Sequence, residues 1–224
     1  MGTWLVTGAN RGIGLELCRQ LAARGDEVIA TAREPDRAAE LKRLGTRVEA
    51  LELRDASSVA ALARSVGGAA LDVLVNNAGR GGAGPGIAEL DWEIVADYFQ
   101  VNALGTMRVV QALLHALRRG RSRKIVQLST GMASLADNRQ GGGYAYRASK
   151  VALNMFNRSL AHELLPDGFA CLAVNPGWVQ TDMGGARAPL PVADSVSAML
   201  QLIDRAGPGD SGKFLDYTGA EMAW

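Results

Sequence analysis

The stretch Thr3-Trp4-Leu5-Val6-Thr7-Gly8-Ala9-Asn10-Arg11-Gly12-Ile13-Gly14 decides the architecture. Thr3 to Thr7 is a short apolar, β-favouring run, and glycines follow it at positions 8, 12 and 14. Leu15, Leu17, Cys18, Leu21 and Ala22 then recur at helical spacing, so the segment reads strand, glycine turn, helix. Glycine permits positive φ and close backbone approach, and a helix start offers unpaired N–H groups to a phosphate. An ordinary strand-to-helix turn would also satisfy the pattern. The spacing Gly-x-x-x-Gly-x-Gly differs from the Gly-x-Gly-x-x-Gly of the common dinucleotide fingerprint.

Working outward, strands and helices alternate. The pattern predicts a strand over Asp26–Ala32, a helix over Asp36–Leu44, a strand over Arg47–Leu51 and a helix over Ser57–Val66. Leu71–Val75 is a continuous apolar strand running into Asn76-Asn77-Ala78-Gly79, and a long helix covers Val101–Arg118. Strands at Ile125–Leu128 and Phe169–Val174 flank a helix over Tyr144–Leu165. A helix over Val192–Asp204 and a short strand at Lys213–Leu215 complete the series. Continuous Val/Ile/Leu strands between amphipathic helices imply an α/β fold: a Rossmann-like, doubly wound parallel sheet of about seven strands, helices on both faces. No linker or repeat divides residues 1–224, which predicts a single domain. Ligands in such folds bind at the carboxyl ends of the strands, near the topological switch point.

Composition excludes several classes. Lys and Arg number 24 against 23 Asp and Glu, a net charge of +1, so no basic field argues for nucleic acid. The basic run Arg118-Arg119-Gly120-Arg121-Ser122-Arg123-Lys124 reads as a solvated helix end and turn. The two cysteines, Cys18 and Cys171, give no disulfide framework and read as small buried hydrophobes. His115 and His162 lack ligand spacing, so no metal site is expected. No apolar run is long enough for membrane insertion, a signal peptide has no room before Thr3, and Val6 spoils a myristoylation pattern. A cytoplasmic protein is expected.

The chemistry is concentrated in Tyr144-Ala145-Tyr146-Arg147-Ala148-Ser149-Lys150. Four residues of helix put Tyr146 and Lys150 on one face, about 6 Å apart along the axis. An ammonium beside a phenol favours the phenolate and brings a group that titrates near ~10 toward neutrality. Such a phenol exchanges a proton with a nearby oxygen.

Thr7-Gly8-x-x-x-Gly12-x-Gly14, Asn76-Asn77-Ala78-Gly79, Asn102, Tyr146-x-x-x-Lys150 and Asn175-Pro176-Gly177 occur in order. On these motifs, over essentially its whole length, the chain resembles the short-chain dehydrogenase/reductase family. Gly141–Lys150, Pro176–Gly185 and Trp224 are similar to the C-factor/Sniffer-like carbonyl reductase branch. The resemblance implies that Tyr146 is the general acid, and that Lys150 lowers its pKa and bonds the nicotinamide ribose. Asn102 would hold a water linking Lys150 to solvent. A hydroxyl after the fifth strand should polarise the carbonyl. Here the family's usual Ser-Ser reads Ser129-Thr130, so Thr130 takes that place and Ser134 is its rival. Threonine can donate the same hydrogen bond, with its β-methyl crowding the pocket.

The cofactor expected is NADP(H). Thr31-Ala32-Arg33 ends the second strand without the acid that NAD-preferring folds use, and Arg11 lies inside the glycine turn. Two guanidinium groups suit a 2′-phosphate. By resemblance, Gly8, Asn10, Arg11, Gly12, Ile13, Gly14 and Arg33 hold the phosphates, and Glu52 with Leu53 the adenine. Asn76, Ala78 and Gly79 line the adenosine ribose; Pro176, Gly177, Val179 and Thr181 join Tyr146 and Lys150 at the nicotinamide. Asp55 caps the following helix. Only about ten residues separate Thr181 from the next helix, so a short flap and an open pocket for bulky carbonyls are expected, with Trp178 and Met183 as an apolar wall. The partners implied are a small carbonyl substrate and a second or further copies of the chain, as homodimer or homotetramer. A signalling or binding role in which the dinucleotide is mainly structural, and NAD(P)-linked oxidation of a lipid or secondary alcohol, are the alternatives.

Overall fold

The computed structural model describes residues 1–82 and 84–224. Seven parallel strands run β1 (Thr3–Val6), β2 (Glu27–Ala32), β3 (Arg47–Ala50), β4 (Val73–Asn76), β5 (Lys124–Leu128), β6 (Ala170–Asn175) and β7 (Phe214–Asp216). Their order in the sheet is β3-β2-β1-β4-β5-β6-β7, so the winding reverses between β1 and β4. The helices are α1 (Gly12–Ala23), α2 (Ala39–Arg43), α3 (Ala56–Val66), α4 (Trp92–Phe99), α5 (Thr106–Arg119), α6 (Tyr144–Leu164) and α7 (Val192–Arg205).

Strand alternation sorts the side chains into two cores. Trp4, Val6, Val73, Val75, Val126 and Val174 face one way, packing with Leu17 and Leu21 of α1 and Met199 and Ile203 of α7. Leu5, Leu74, Ile125 and Cys171 face the other way, packing with Val59 and Leu62 of α3, Leu113 and Leu117 of α5 and Leu160 of α6. With helices on both faces neither side of the strands meets water, which is why the strands are apolar throughout. Cys18 and Cys171 are free and buried, and burial pushes both thiols up to about 12.

Three elements differ from the sequence pattern. The segment expected as one helix over residues 36–44 is a 3₁₀ turn, Pro35–Arg37, then the short α2, because Ala38 breaks the helical ψ. The helical path leading to Arg119 begins at Trp92, not Val101. Asp91 caps it, accepting hydrogen bonds from the backbone of Glu93 and Ile94. Between α4 and α5 the chain forms a π-helical turn, Gln100–Gly105, that contains Asn102. Gly105 lets this turn approach closely, for a Cβ there would lie 2.5 Å from the Leu53 carbonyl oxygen. As expected, Asp55 caps α3 through the Ser57 amide at 2.8 Å.

Candidate active site

The carboxyl ends of β1 and β4 are tied together at the switch point. Asn77 donates its side-chain amide to the carbonyls of Thr7 (2.8 Å) and Gly8 (2.9 Å), and the Ala78 amide donates to Thr7 Oγ1 at 3.0 Å. Asn77 was not among the residues expected to form the site. The fixed spacing between the glycine turn and the Asn-Asn pair gives no hint of this tie, because the two segments are 70 residues apart. Gly8 has φ +62°, and a Cβ there would meet Ala78 Cα at 2.8 Å. Gly12 has φ +53°. Helix α1 starts directly from this turn with no side-chain cap, leaving its first N–H groups to an external acceptor.

The side chains expected around a dinucleotide divide into two groups. Asn10, Arg11, Arg33 and Gly79 are exposed, and Pro176, Gly177 and Thr181 are half-buried. Ile13 packs on the first core. Asn76, Leu53 and Val179 are turned inward instead. Asn76 lies on the Leu74 face of β4, buried and with neither amide atom paired, because the strand period carries it away from the cleft. Leu53 and Val179 are buried apolar side chains, so only their backbone can reach a ligand. Glu52 is half-buried and accepts from the Arg54 amide at 3.1 Å.

Around Tyr146 the structure gathers Thr130, Tyr98 and Lys150. The Thr130 hydroxyl lies by the Tyr146 phenol and draws its pKa down, and its Oγ1 accepts from the Met132 amide at 3.2 Å. Ser134, the rival hydroxyl, is buried and accepts from the Asp137 amide at 3.2 Å. Tyr98, four residues before Asn102 on the helical path, meets Tyr146 edge to face with centroids 6.5 Å apart. Its hydroxyl donates to the Gly81 carbonyl at 3.1 Å, and the Arg80 guanidinium lies 5.1 Å over its ring. Sequence reading missed Tyr98 because α4 itself went unrecognised; the Asp91 cap ahead of Trp92 was the available signal.

The Lys150 amine has a backbone partner of its own. Lys150 Nζ donates to the Leu128 carbonyl at 2.7 Å, drawn to the open end of β5. Burial, first, and Tyr98 raise the Tyr146 pKa above the usual phenol value, with the Thr130 hydroxyl pulling the other way. Full burial lowers the Lys150 amine to about 8. The phenol is therefore held protonated at neutral pH, the form that can give up a proton.

The Asn102 side chain is engaged with protein partners. Its amide donates to the Arg80 carbonyl (3.0 Å) and Ser149 Oγ (2.9 Å), and its oxygen accepts from the Arg80 amide (2.7 Å). The side chain thus clamps the loop after β4 onto α6. A Cβ on Gly79 would lie 3.1 Å from Asn102 Oδ1 and 3.6 Å from Lys150 Nζ, so that loop, Asn102 and Lys150 form one packed unit.

The Lys150 shift has a measurable consequence. An amine titrating at about 8 when folded and near ~10.4 when unfolded binds fewer protons in the folded state across that window. Its contribution to stability therefore rises with pH from about 8 to ~10.4, by about 3 kcal/mol. Urea unfolding of wild type and Lys150→Met over this range should show the difference growing in favour of wild type. Taking the difference cancels the cysteines. A pH-independent difference would show that the amine is not desolvated.

A doubly wound parallel sheet, a glycine turn feeding an uncapped helix at its switch point, and a tyrosine–lysine pair on α6 define a nucleotide-dependent dehydrogenase type of domain. The family model for short chain dehydrogenase matches residues 3–189, and the chain belongs to that family of oxidoreductases. It is 49% identical to C-signal of Myxococcus xanthus over 154 residues, 69% of this chain and 93% of C-signal. The carbonyl reductase Sniffer of D. melanogaster superposes with a TM-score of 0.94 at 31% identity, covering 100% of both chains. An NADPH-bound carbonyl reductase from chicken fatty liver gives 0.94 at 34% identity, over 100% of this chain and 99% of that one. Among the described residues no helix is long and apolar enough to cross a membrane, and no group of three or more His, Cys, Asp or Glu could hold a metal ion.

Proposed function

We propose that the chain is an NADPH-dependent carbonyl reductase that turns an aldehyde or ketone into an alcohol. The observation that carries this reading is the half-buried Tyr146 phenol, its pKa raised above the usual phenol value, set beside Thr130 and lining a small apolar cavity. The fit of the residues to a dinucleotide supports it. The glycine turn has no room for a Cβ at Gly8, α1 is uncapped, and two exposed guanidinium groups, Arg11 and Arg33, stand where a 2′-phosphate would lie. The NADPH found in the chicken carbonyl reductase agrees with that chemistry.

When bound, the nicotinamide supplies the hydride. Thr130 donates a hydrogen bond to the substrate carbonyl oxygen, and Tyr146 donates its proton as negative charge develops there. Lys150 holds a positive charge beneath the site, and Asn102 keeps the loop after β4 packed against Lys150. In reduction the neutral phenol is the form that gives its proton to the developing alkoxide.

The cavity beside Tyr146 has a volume of about 40 Å³, lined by Pro85, Leu90, Ile94, Tyr98 and Tyr144 among others. A cavity of roughly 150 Å³ holds a benzene ring, so this one takes a methyl or ethyl group. Within the open pocket expected from the short flap, this cavity forms a small apolar corner. Trp178 and Met183 stay exposed on the flap, leaving that side for a larger substituent. Carbonyls with one small apolar substituent are the substrate class.

The identity with C-signal favours a second reading, a signalling or binding protein in which the dinucleotide is mainly structural. Titration with NADPH and, separately, NADH, followed by bound nicotinamide fluorescence, tests both. NADPH-selective binding followed by turnover of methyl ketones is the expected result. Preference for NADH overturns the arginine reading, and binding of neither transfers the case to the second reading.

A further inference from the structure

The segment Thr181–Gly185 forms a compact flap. Gly184 and Gly185 donate their amides back to Thr181 Oγ1 (3.2 Å) and the Thr181 carbonyl (2.8 Å), and Trp178 Nε1 donates to the Gly184 carbonyl at 2.8 Å. The base is zipped by Gln180 to Leu190 and by Leu190 to Trp178. A unit tied this way moves as one piece.

The flap reaches both walls of the nucleotide cleft. On one side a Cβ on Gly12 would lie 3.4 Å from the Thr181 methyl, and Asp182 Oδ2 pairs with Arg11 Nη1 at 3.1 Å. On the other side Met183 lies so close to Gly81 that a Cβ there would run into its thioether. Arg11, a cation expected to meet the 2′-phosphate, thus already has an anionic partner, and that partner sits on the flap.

We infer that Asp182 competes with the cofactor's 2′-phosphate for Arg11, so that Asp182 discriminates between the two nicotinamide dinucleotides and ties the choice to flap position. The inference rests on Arg11 as a 2′-phosphate ligand. A phosphate that takes Arg11 displaces Asp182 and leaves a carboxylate beside a more highly charged anion, which pushes the flap off the glycine turn. NADH lacks that phosphate and leaves the Arg11–Asp182 pair in place. By linkage, whatever weakens the pair must tighten the phosphorylated ligand by the same factor. Both side chains are largely exposed, 69% and 79%, so the pair is weak and the effect is moderate.

The test is Asp182→Asn, titrated with NADPH and with NADH at low and high salt. Asparagine keeps the shape of the side chain and removes the charge. The Kd for NADPH should fall roughly two- to fivefold, within the range of an exposed ion pair, and most at low salt. The Kd for NADH should not move. In the double variant Arg11→Ala/Asp182→Asn the gain should vanish relative to Arg11→Ala alone. Equal shifts for both dinucleotides, or none, overturn the inference while NADPH-selective binding by wild type leaves the reductase reading standing. Failure of wild type to bind either dinucleotide overturns both.

Discussion

Tyr146→Phe is expected to abolish carbonyl reduction while leaving dinucleotide binding intact. The ring is half-buried and packs edge to face on Tyr98, and phenylalanine keeps both features. Only the hydroxyl beside Thr130 is lost. General acid catalysis by a positioned group contributes roughly 10²- to 10⁴-fold, so kcat should fall by that factor with KM little changed. Steady-state reduction of a methyl ketone, paired with NADPH titration of the same preparation, checks it. Retention of activity within tenfold would remove Tyr146 from the chemistry, and a parallel loss of NADPH binding would show that the hydroxyl serves the cofactor. A signalling or binding role would survive the substitution.

Gly14→Ala should cripple the protein even though helix propensity predicts the reverse. Gly14 lies in the first turn of α1, where alanine is intrinsically better by about 1 kcal/mol. A Cβ there would stand 2.5 Å from Asn77 Nδ2, 2.5 Å from the Gly8 carbonyl oxygen and 2.9 Å from Ala9 Cα. Two of these are backbone atoms, and the third is the amide that ties β1 to β4. Overpacking of this kind costs about 1–3 kcal/mol, and each lost hydrogen bond about 1 kcal/mol more. The clash therefore outweighs the propensity gain. Thermal unfolding should show a lower Tm, and NADPH affinity should fall more than tenfold because the glycine turn must shift. A raised Tm would mean that Asn77 can swing away without cost.

How far these sites were legible depends on how far apart their parts lie in the chain. The glycine turn could be read directly, because a strand, three glycines and a helix are local backbone statements. Tyr146 and Lys150 could be placed on one face from helix geometry alone, yet the partner of the Lys150 amine could not. The Lys150 amine turns to the Leu128 carbonyl, 22 residues away, because a fully buried ammonium must be paired and that acceptor is open at the end of β5. Asn102 was readable as a site residue but not as the clamp on Arg80. Its role depends on a π turn for which side-chain periodicity carries no mark. Asn76 was expected at the ribose and Asn77 was given no role, yet strand alternation turns Asn76 into the core and Asn77 onto the glycine turn. Thr130 is preferred over Ser134 in the sequence because Ser134 lies beyond the strand end, and in the structure Thr130 is the one beside the phenol.

The sequence by itself determined the alternation of strands and helices, the parallel sheet and the end of it that carries the chemistry. These follow from hydrophobic period and glycine placement, each legible within a dozen neighbouring residues. Only the tertiary structure decided which partners the polar groups take: Asn77 for the β1 carbonyls, Tyr98 for Tyr146, Asp182 for Arg11 across 171 residues. Burial forces each polar group to find a partner wherever the packed chain offers one. Where that partner lies is set by strand order and helix docking, which no local pattern records.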